Sequence, residues 1–232
     1  MPQLAATTRQ IPGQKNNQAT QEKPARRRNV DRSAATRKVI LEATICCLHK
    51  QGFGAVTNHT VADLAGVSRG AMMHHFPTRQ ALLVATVEYA YARLREIRES
   101  MVNEREPGLP RYRALIDVTW ATAQMPEDIA CNEIRMGSRS DPEIAAAITP
   151  IMIKVADDFA RYIGRVARQA GLETDDELKG LTATTAMVVR AMAVNVFTYP
   201  RTSLIDCALN SLKLARERMI VRQLGEAAAE TD

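Results

Sequence analysis

Residues 65–76 read AGVSRGAMMHHF and concentrate side chains that could do chemistry: a serine, an arginine, two glycines and a pair of histidines within twelve positions. Ser68 is a candidate N-cap for a short helix. The free N–H groups and positive dipole end of such a helix attract phosphate. Gly70 has no side chain to block a close backbone approach. Arg69 can reach a phosphate or the O6/N7 edge of guanine. His74 and His75 are adjacent, so they cannot both face one ligand. One is expected to donate to phosphate and the other to pack toward the following helix. Metal binding by the pair is disfavoured, because helical histidine ligands are spaced i, i+4. The chemistry of this stretch is therefore recognition of a polyanion.

Catalytic chemistry is not evident elsewhere. No nucleophile sits with a base, no carboxylates are paired beyond common surface acids, and no metal-ligand spacing occurs, so neither an enzyme nor a cofactor is expected. Cys46, Cys47, Cys131 and Cys207 include no C-x-x-C pair. Neighbouring residues on a helix point about 100° apart, so Cys46 and Cys47 would not normally bond to each other. All four read as ordinary thiols in a reducing cytoplasm.

The net charge of +5 is uneven. Residues 1–80 hold 12 Lys/Arg against 4 Asp/Glu, whereas residues 81–232 hold 19 against 22. This asymmetry suits a polyanion-binding front end; a solvated basic tail is the other reading. No apolar run suggests a signal peptide in the first 32 residues, and none approaches the ~18 residues of a membrane span. No membrane partner is expected, and the location expected is cytoplasmic.

The elements that must position these residues are helical almost throughout. Residues 1–32, rich in Gln, Asn, Thr, Ala and Pro and carrying Arg26–Arg28, read as a disordered basic tail. A first helix near 33–51 repeats Ile40, Ala43, Thr44, Cys47 and Leu48, and Gly52 ends it. Short helices follow at about 58–65, capped by Thr57, and from 69 to about 75. A long fourth helix runs from Thr78 to about 104. Further helices are expected near 110–124, 127–137, 141–170, 175–197 and 203–222. Pro150 should kink the 141–170 helix, and TDDE at 174–177 reads as a capping box. No strand signal appears.

Two short helices joined by a glycine turn make a helix-turn-helix. Ala62 lets the backbones cross closely. Gly66 can take the positive φ of the turn. Val61, Ala65, Val67 and Met72 can bury the inner faces. The run RKVILEATICCLHKQGFGAVTNHTVADLAGVSRGAMMHHFPTRQALL at 37–83 resembles the amino-terminal domain of the TetR family of bacterial transcriptional regulators. The resemblance is carried by Ile40-Leu41-Glu42-Ala43-Thr44, Gly52-Phe53, Thr57, Val61-Ala62, Ala65 to Gly70, His74-His75-Phe76 and Arg79. One position departs from the pattern. Met73 stands where the family usually places a phosphate-contacting tyrosine, and a thioether cannot donate that bond.

The resemblance implies an all-α protein of about nine helices. It would have a tail at 1–32, a helix-turn-helix DNA-binding domain at 33–93, and a helical effector-binding and dimerisation domain at 94–232. The DNA-facing set is Thr57, Asn58, Ser68, Arg69, Gly70, Ala71, Met73, His74 and Arg79, with Arg26–Arg28 as a candidate minor-groove arm. The expected partners are double-stranded DNA, a second copy of the chain and a small, largely apolar effector. The expected effector residues are Trp120, Met136, Met152, Phe159 and Tyr162, with Trp120 foremost. The expected dimer stripes are Ala183, Ala186, Ala193 and Phe197 on one helix and Ile205, Leu209, Leu212 and Met219 on the last. The expected activity is ligand-relieved repression from a pseudo-palindromic operator. An architectural DNA-binding protein that senses no small molecule is the alternative.

Overall fold

The computed structural model describes residues 22–196 and 202–225, with side chains described for 30–196 and 203–225. Nine α-helices and no strand occur among the described residues. They are α1 (Glu22–Gln51), α2 (Asn58–Ala65), α3 (Arg69–His75), α4 (Arg79–Asn103), α5 (Leu109–Ala123), α6 (Pro126–Gly137), α7 (Pro142–Gln169), α8 (Asp176–Asn195) and α9 (Thr202–Leu224). Single 3-10 turns lie at Phe53–Ala55 and Ser138–Ser140. The protein is all-α, as its sequence predicts.

The chain divides into two compact units, Met1–Arg37 and Lys38–Asp232. In the first, helix begins at Glu22 rather than near 33, so part of the expected disordered tail is helical. Glu, Lys, Ala and Arg dominate that stretch and are strong helix formers. Pro24 falls in the first turn, where its missing N–H has no intrahelical partner to lose. The side chains of Arg26–Arg28 and all of Phe197 lie outside the described residues, and so do the roles expected of them.

In the second unit, one core joins residues 40–48 of α1 to α2, α3 and the front of α4, and extends to Ala130, Cys131 and Ile134 of α6 and Ile144 and Ile148 of α7. A second core links α5, the end of α7 and the end of α9 through Tyr112, Leu115, Ile163, Met219 and Ile220. A third joins α5, α8 and α9 through Ile116, Ala123, Val189, Ala193, Leu209 and Leu212. The boundary expected at residue 93 falls inside α4, which is continuous through it.

Helix ends follow ordinary capping chemistry. The side chains of Thr57, Ser68, Thr78, Asp141 and Asp175 each accept an N–H from the first turn of the following helix. At α8 the cap is Asp175, one residue after the threonine of the expected capping box. Helix α7 runs through Pro150, which is exposed.

Candidate nucleic-acid interface

The corner between α2 and α3 is built by Gly66, at φ 64° and ψ 30°. The N–H groups of Gly66 and Val67 take the carbonyls of Asp63 and Ala62 at 3.2 and 3.1 Å, closing the end of α2. Val61, Ala62 and Met72 are buried at the crossing. On the outside of the corner Thr57, Ser68, Arg69, Gly70, Met73 and His74 are exposed, and Ala71 is half-buried. Met73 is 49% exposed, which leaves an apolar tip on this otherwise polar face. His74 faces solvent while His75 is half-buried, so His74 is the histidine available to a ligand. The two rings meet edge-on at 5.3 Å.

Two of the expected DNA contacts have partners inside the chain. Asn58 donates from Nδ2 to the Phe76 carbonyl at 3.0 Å and to Met73 Sδ at 3.4 Å, tying the start of α2 to α3. Arg79 donates to the Val56 carbonyl at 2.7 Å and the Phe53 carbonyl at 2.8 Å, and its guanidinium stacks 4.1 Å from the Phe53 ring centroid. The 3-10 turn before α2 leaves carbonyls that need donors, and Arg79 supplies them. His59 was not anticipated. It is exposed and sits 3.3 Å from Arg69 Nη2 and 3.4 Å from Asp63.

That same turn is clasped from behind by α6. Glu133 Oε2 accepts the Phe53 N–H at 3.0 Å. Gly137 lies under the Phe53 ring so closely that a Cβ there would come within 2.2 Å of it. Phe53 is thus held between α6 and Arg79 of α4.

Helix α6 also lines a groove of about 1170 Å³ in the second unit, walled by α7 and α8 over α4, α5 and α6. Of the five residues expected at an effector site, Met152 and Phe159 line the groove; Trp120, Met136 and Tyr162 do not. Trp120 is partly buried and packs against the third core, as do Val188, Met192 and Ile205. Met136 is exposed on α6, and Tyr162 belongs to the second core. Residue type and helical spacing do not distinguish core, cavity and surface for these residues.

Tyr91, Arg98, Asp128, Arg135 and Arg190 form a polar cluster in the groove lining. Arg135 donates to Tyr91 Oη at 3.0 Å and to Asn132 Oδ1 at 2.7 Å. Arg98 donates to Thr122 at 2.9 Å and sits 3.8 Å from Asp128. Burial pushes the Tyr91 phenol up to about 12 and raises the Asp128 carboxyl, which nearby Arg98, Arg190 and Arg135 partly offset. Burial lowers Arg98. Arg190 interrupts the apolar run AMVVRAMAVN of α8, and that interruption was the sequence signal for the cluster.

Half of the expected dimer stripe is consumed within the chain. Ala193, Leu209, Leu212 and Met219 are buried in the second and third cores of the chain. Their periodicity reports packing of α8 and α9 on α5. Ala183 and Ala186 line the groove, and Ile205 is half-buried against the third core. Among the described residues, the exposed large apolar side chains of these helices are Met187, Val194, Leu204 and Leu214.

Residues 40–86 match the family model described as bacterial regulatory proteins, tetR family. This segment is TetR-family. The chain is 34% identical over 84 residues to the HTH-type transcriptional regulator CymR of Pseudomonas putida, spanning 36% of this chain and 41% of that one. It is 33% identical over 97 residues to the HTH-type transcriptional regulator BetI of Rhizobium meliloti, spanning 40% and 47%. With the HTH-type transcriptional repressor AcnR of Corynebacterium efficiens it shares 29% identity over 141 residues, 60% of this chain and 69% of the repressor. The chain thus spans less than half the length of the first two relatives. Among solved structures, a TetR transcription regulator from Haloarcula marismortui superposes with a TM-score of 0.66 at 18% identity, over 80% of this chain and 98% of that one. A TetR-family regulator from Rhodococcus sp. gives 0.62 at 18% identity over the same shares. The TetR-type fold therefore extends through the carboxy-terminal helices, and these relatives are regulators rather than enzymes.

Proposed function

We propose that the chain is a DNA-binding transcriptional regulator. In this reading it represses from a pseudo-palindromic operator as a homodimer and is released by a small molecule held in the α7–α8 groove. The observation that carries it is the outward face of the Gly66 corner, where Arg69, Gly70, Met73 and His74 of α3 stand exposed beside Thr57. A helix presenting such residues suits the major groove, with Arg69 reading a base edge and His74 and Thr57 meeting phosphate. The basic front end supplies long-range attraction. The reading implies a cytoplasmic protein working on chromosomal DNA.

Two copies would pair through the outward faces of α8 and α9, where Val194, Leu204 and Leu214 are exposed. Closed two-fold symmetry is the default for such pairs. It would set two α3 helices about 34–36 Å apart, one DNA turn.

The geometry also suggests a route for release. Asp128 and Arg135 of α6 line the groove, and Glu133 and Gly137 of the same helix hold Phe53 ahead of α2. A ligand preferring a shifted α6 would move the corner with it, provided its affinity differs between the two arrangements. The groove disfavours the architectural alternative, for which a filled core would be expected.

Selection of binding sites from random duplexes, repeated at two salt concentrations, tests the reading. The expected product is an inverted repeat whose affinity falls steeply with salt. Failure to enrich any sequence, with no binding even in dilute buffer, would remove it.

A further inference from the structure

We infer that the α7–α8 groove takes an amphipathic organic anion, a carboxylate or similar acid on an apolar body. This rests on the reading of the groove as an effector site and specifies its ligand class.

The first observation is charge. Seven of the 19 Lys/Arg in residues 81–232 line the groove, against two of the 22 Asp/Glu, Asp128 and Asp157. The surrounding sequence is net acidic, but Arg161, Arg165 and Lys179 are paired with Asp158, Glu99 and Asp176 beside the groove, so the excess rests on the remaining cations. Three of these cations, Arg98, Arg135 and Arg190, gather around Tyr91 and the single buried carboxylate Asp128. Asp128 is already hydrogen-bonded to Asn132 at 3.1 Å and lies 3.8 Å from Arg98. Arg135 donates its hydrogen bonds to the neutral groups of Asn132 and Tyr91. Arg190 has neither a hydrogen bond nor an ion pair among the described residues. The cluster holds more positive charge than its own acids balance, and a forked guanidinium is matched by a carboxylate.

The second observation is apolar and independent. Ile148, Met152, Val155 and Phe159 recur at helical spacing along the groove wall of α7. Both ends of α7 are buried, at Ile144 and Ile148 and again from Ile163, but no residue from 149 to 162 is. An apolar stripe is thus left half-covered in the middle of a helix whose ends are packed. Small residues opposite, Ala183 and Ala186 of α8, keep the space open. Ligand pockets commonly measure about 300–1,000 Å³, so a volume near 1170 Å³ accommodates a chain or ring system rather than a simple ion. Apolar walls with an under-neutralised cationic cluster specify an anionic head on an apolar body.

Calorimetric titration of the full chain with octanoate, octyl phosphate, 1-octanol and octylammonium at pH 7.5 tests the assignment. Octanoate or octyl phosphate should bind, 1-octanol at least tenfold more weakly, and octylammonium not measurably. Preference for octanoate over octyl phosphate would name a carboxylate; the reverse would name a phosphate ester, and either sustains the anion. Arg190→Met should weaken octanoate tenfold or more and leave 1-octanol unchanged, while Arg190→Lys recovers part of the preference. Arg190 makes no hydrogen bond or ion pair among the described residues that its loss would break, and circular dichroism checks that the variant is folded. Equal or tighter binding of octanol or octylammonium, or no binding of any octyl probe by folded protein, overturns the assignment. Failure to bind duplex DNA would instead count against the regulator reading and leave an observed anion preference standing.

Discussion

Two glycines in the corner separate folding from recognition. Gly66 sits in the left-handed region, where a side chain costs about 1–2 kcal/mol, although a Cβ there would meet nothing. Gly66→Ala should therefore lower thermal stability by that backbone term, with Gly66→Asn milder. Gly70 is helical, and a Cβ there would approach only Ser68 Oγ at 3.9 Å. Gly70→Ala should leave stability equal or up to about 1 kcal/mol higher, yet cost at least tenfold in duplex affinity if the backbone closes on DNA. Paired denaturation and gel-shift measurements check both. Asp128 gives a pH signature. Its folded pKa lies above the unfolded value of 3.8, so the unfolded chain releases that proton first and stability falls as pH rises from about 4 through the folded value. Asp128→Asn removes this contribution. From pH 4 to pH 7 the urea midpoint of the variant should move upward relative to wild type.

At the level of elements, α6 has two jobs, one on the groove and one on the turn before α2. Glu133→Ala would strand the Phe53 N–H, a cost of about 1–3 kcal/mol, and Gly137→Ala would push the Phe53 ring aside, a cost of about 1–3 kcal/mol. Both variants should keep measurable operator affinity and lose most of the ligand response, as read by operator binding with and without octanoate. Local order was legible where one residue type meets one demand. The bounds of α2 and α3, the αL turn at Gly66 and the caps Thr57 and Ser68 all follow from short-range rules. Arg79 was legible as a basic residue opening α4 but not in its role, because the carbonyls it satisfies lie 23 and 26 positions away. The Glu133–Phe53 clasp spans 80 positions and leaves no periodic trace. The same limit applies to the groove. An apolar spacing of three and four marks the inward side of a helix, and whether a neighbour fills the space depends on partners far along the chain. Trp120 packs against the third core, whereas Met152 and Phe159 line the groove.

For the whole molecule, the pairing surface illustrates the same point. The stripe through Leu209, Leu212 and Met219 is real, but it packs on α5 within one protomer. The outward faces carry fewer apolar residues. Leu214→Glu and Val194→Glu, on those faces, should yield folded monomers in sedimentation velocity, whereas Leu212→Glu should unfold the protein. Pairing governs the central claim, that two Gly66 corners read one duplex together. Hydroxyl-radical footprinting of the wild type on a selected duplex tests it most directly. Two protected patches about one helical turn apart are predicted, with both lost in Arg69→Ala and in Leu214→Glu. A single unpaired patch, or protection that survives both substitutions, would contradict the account.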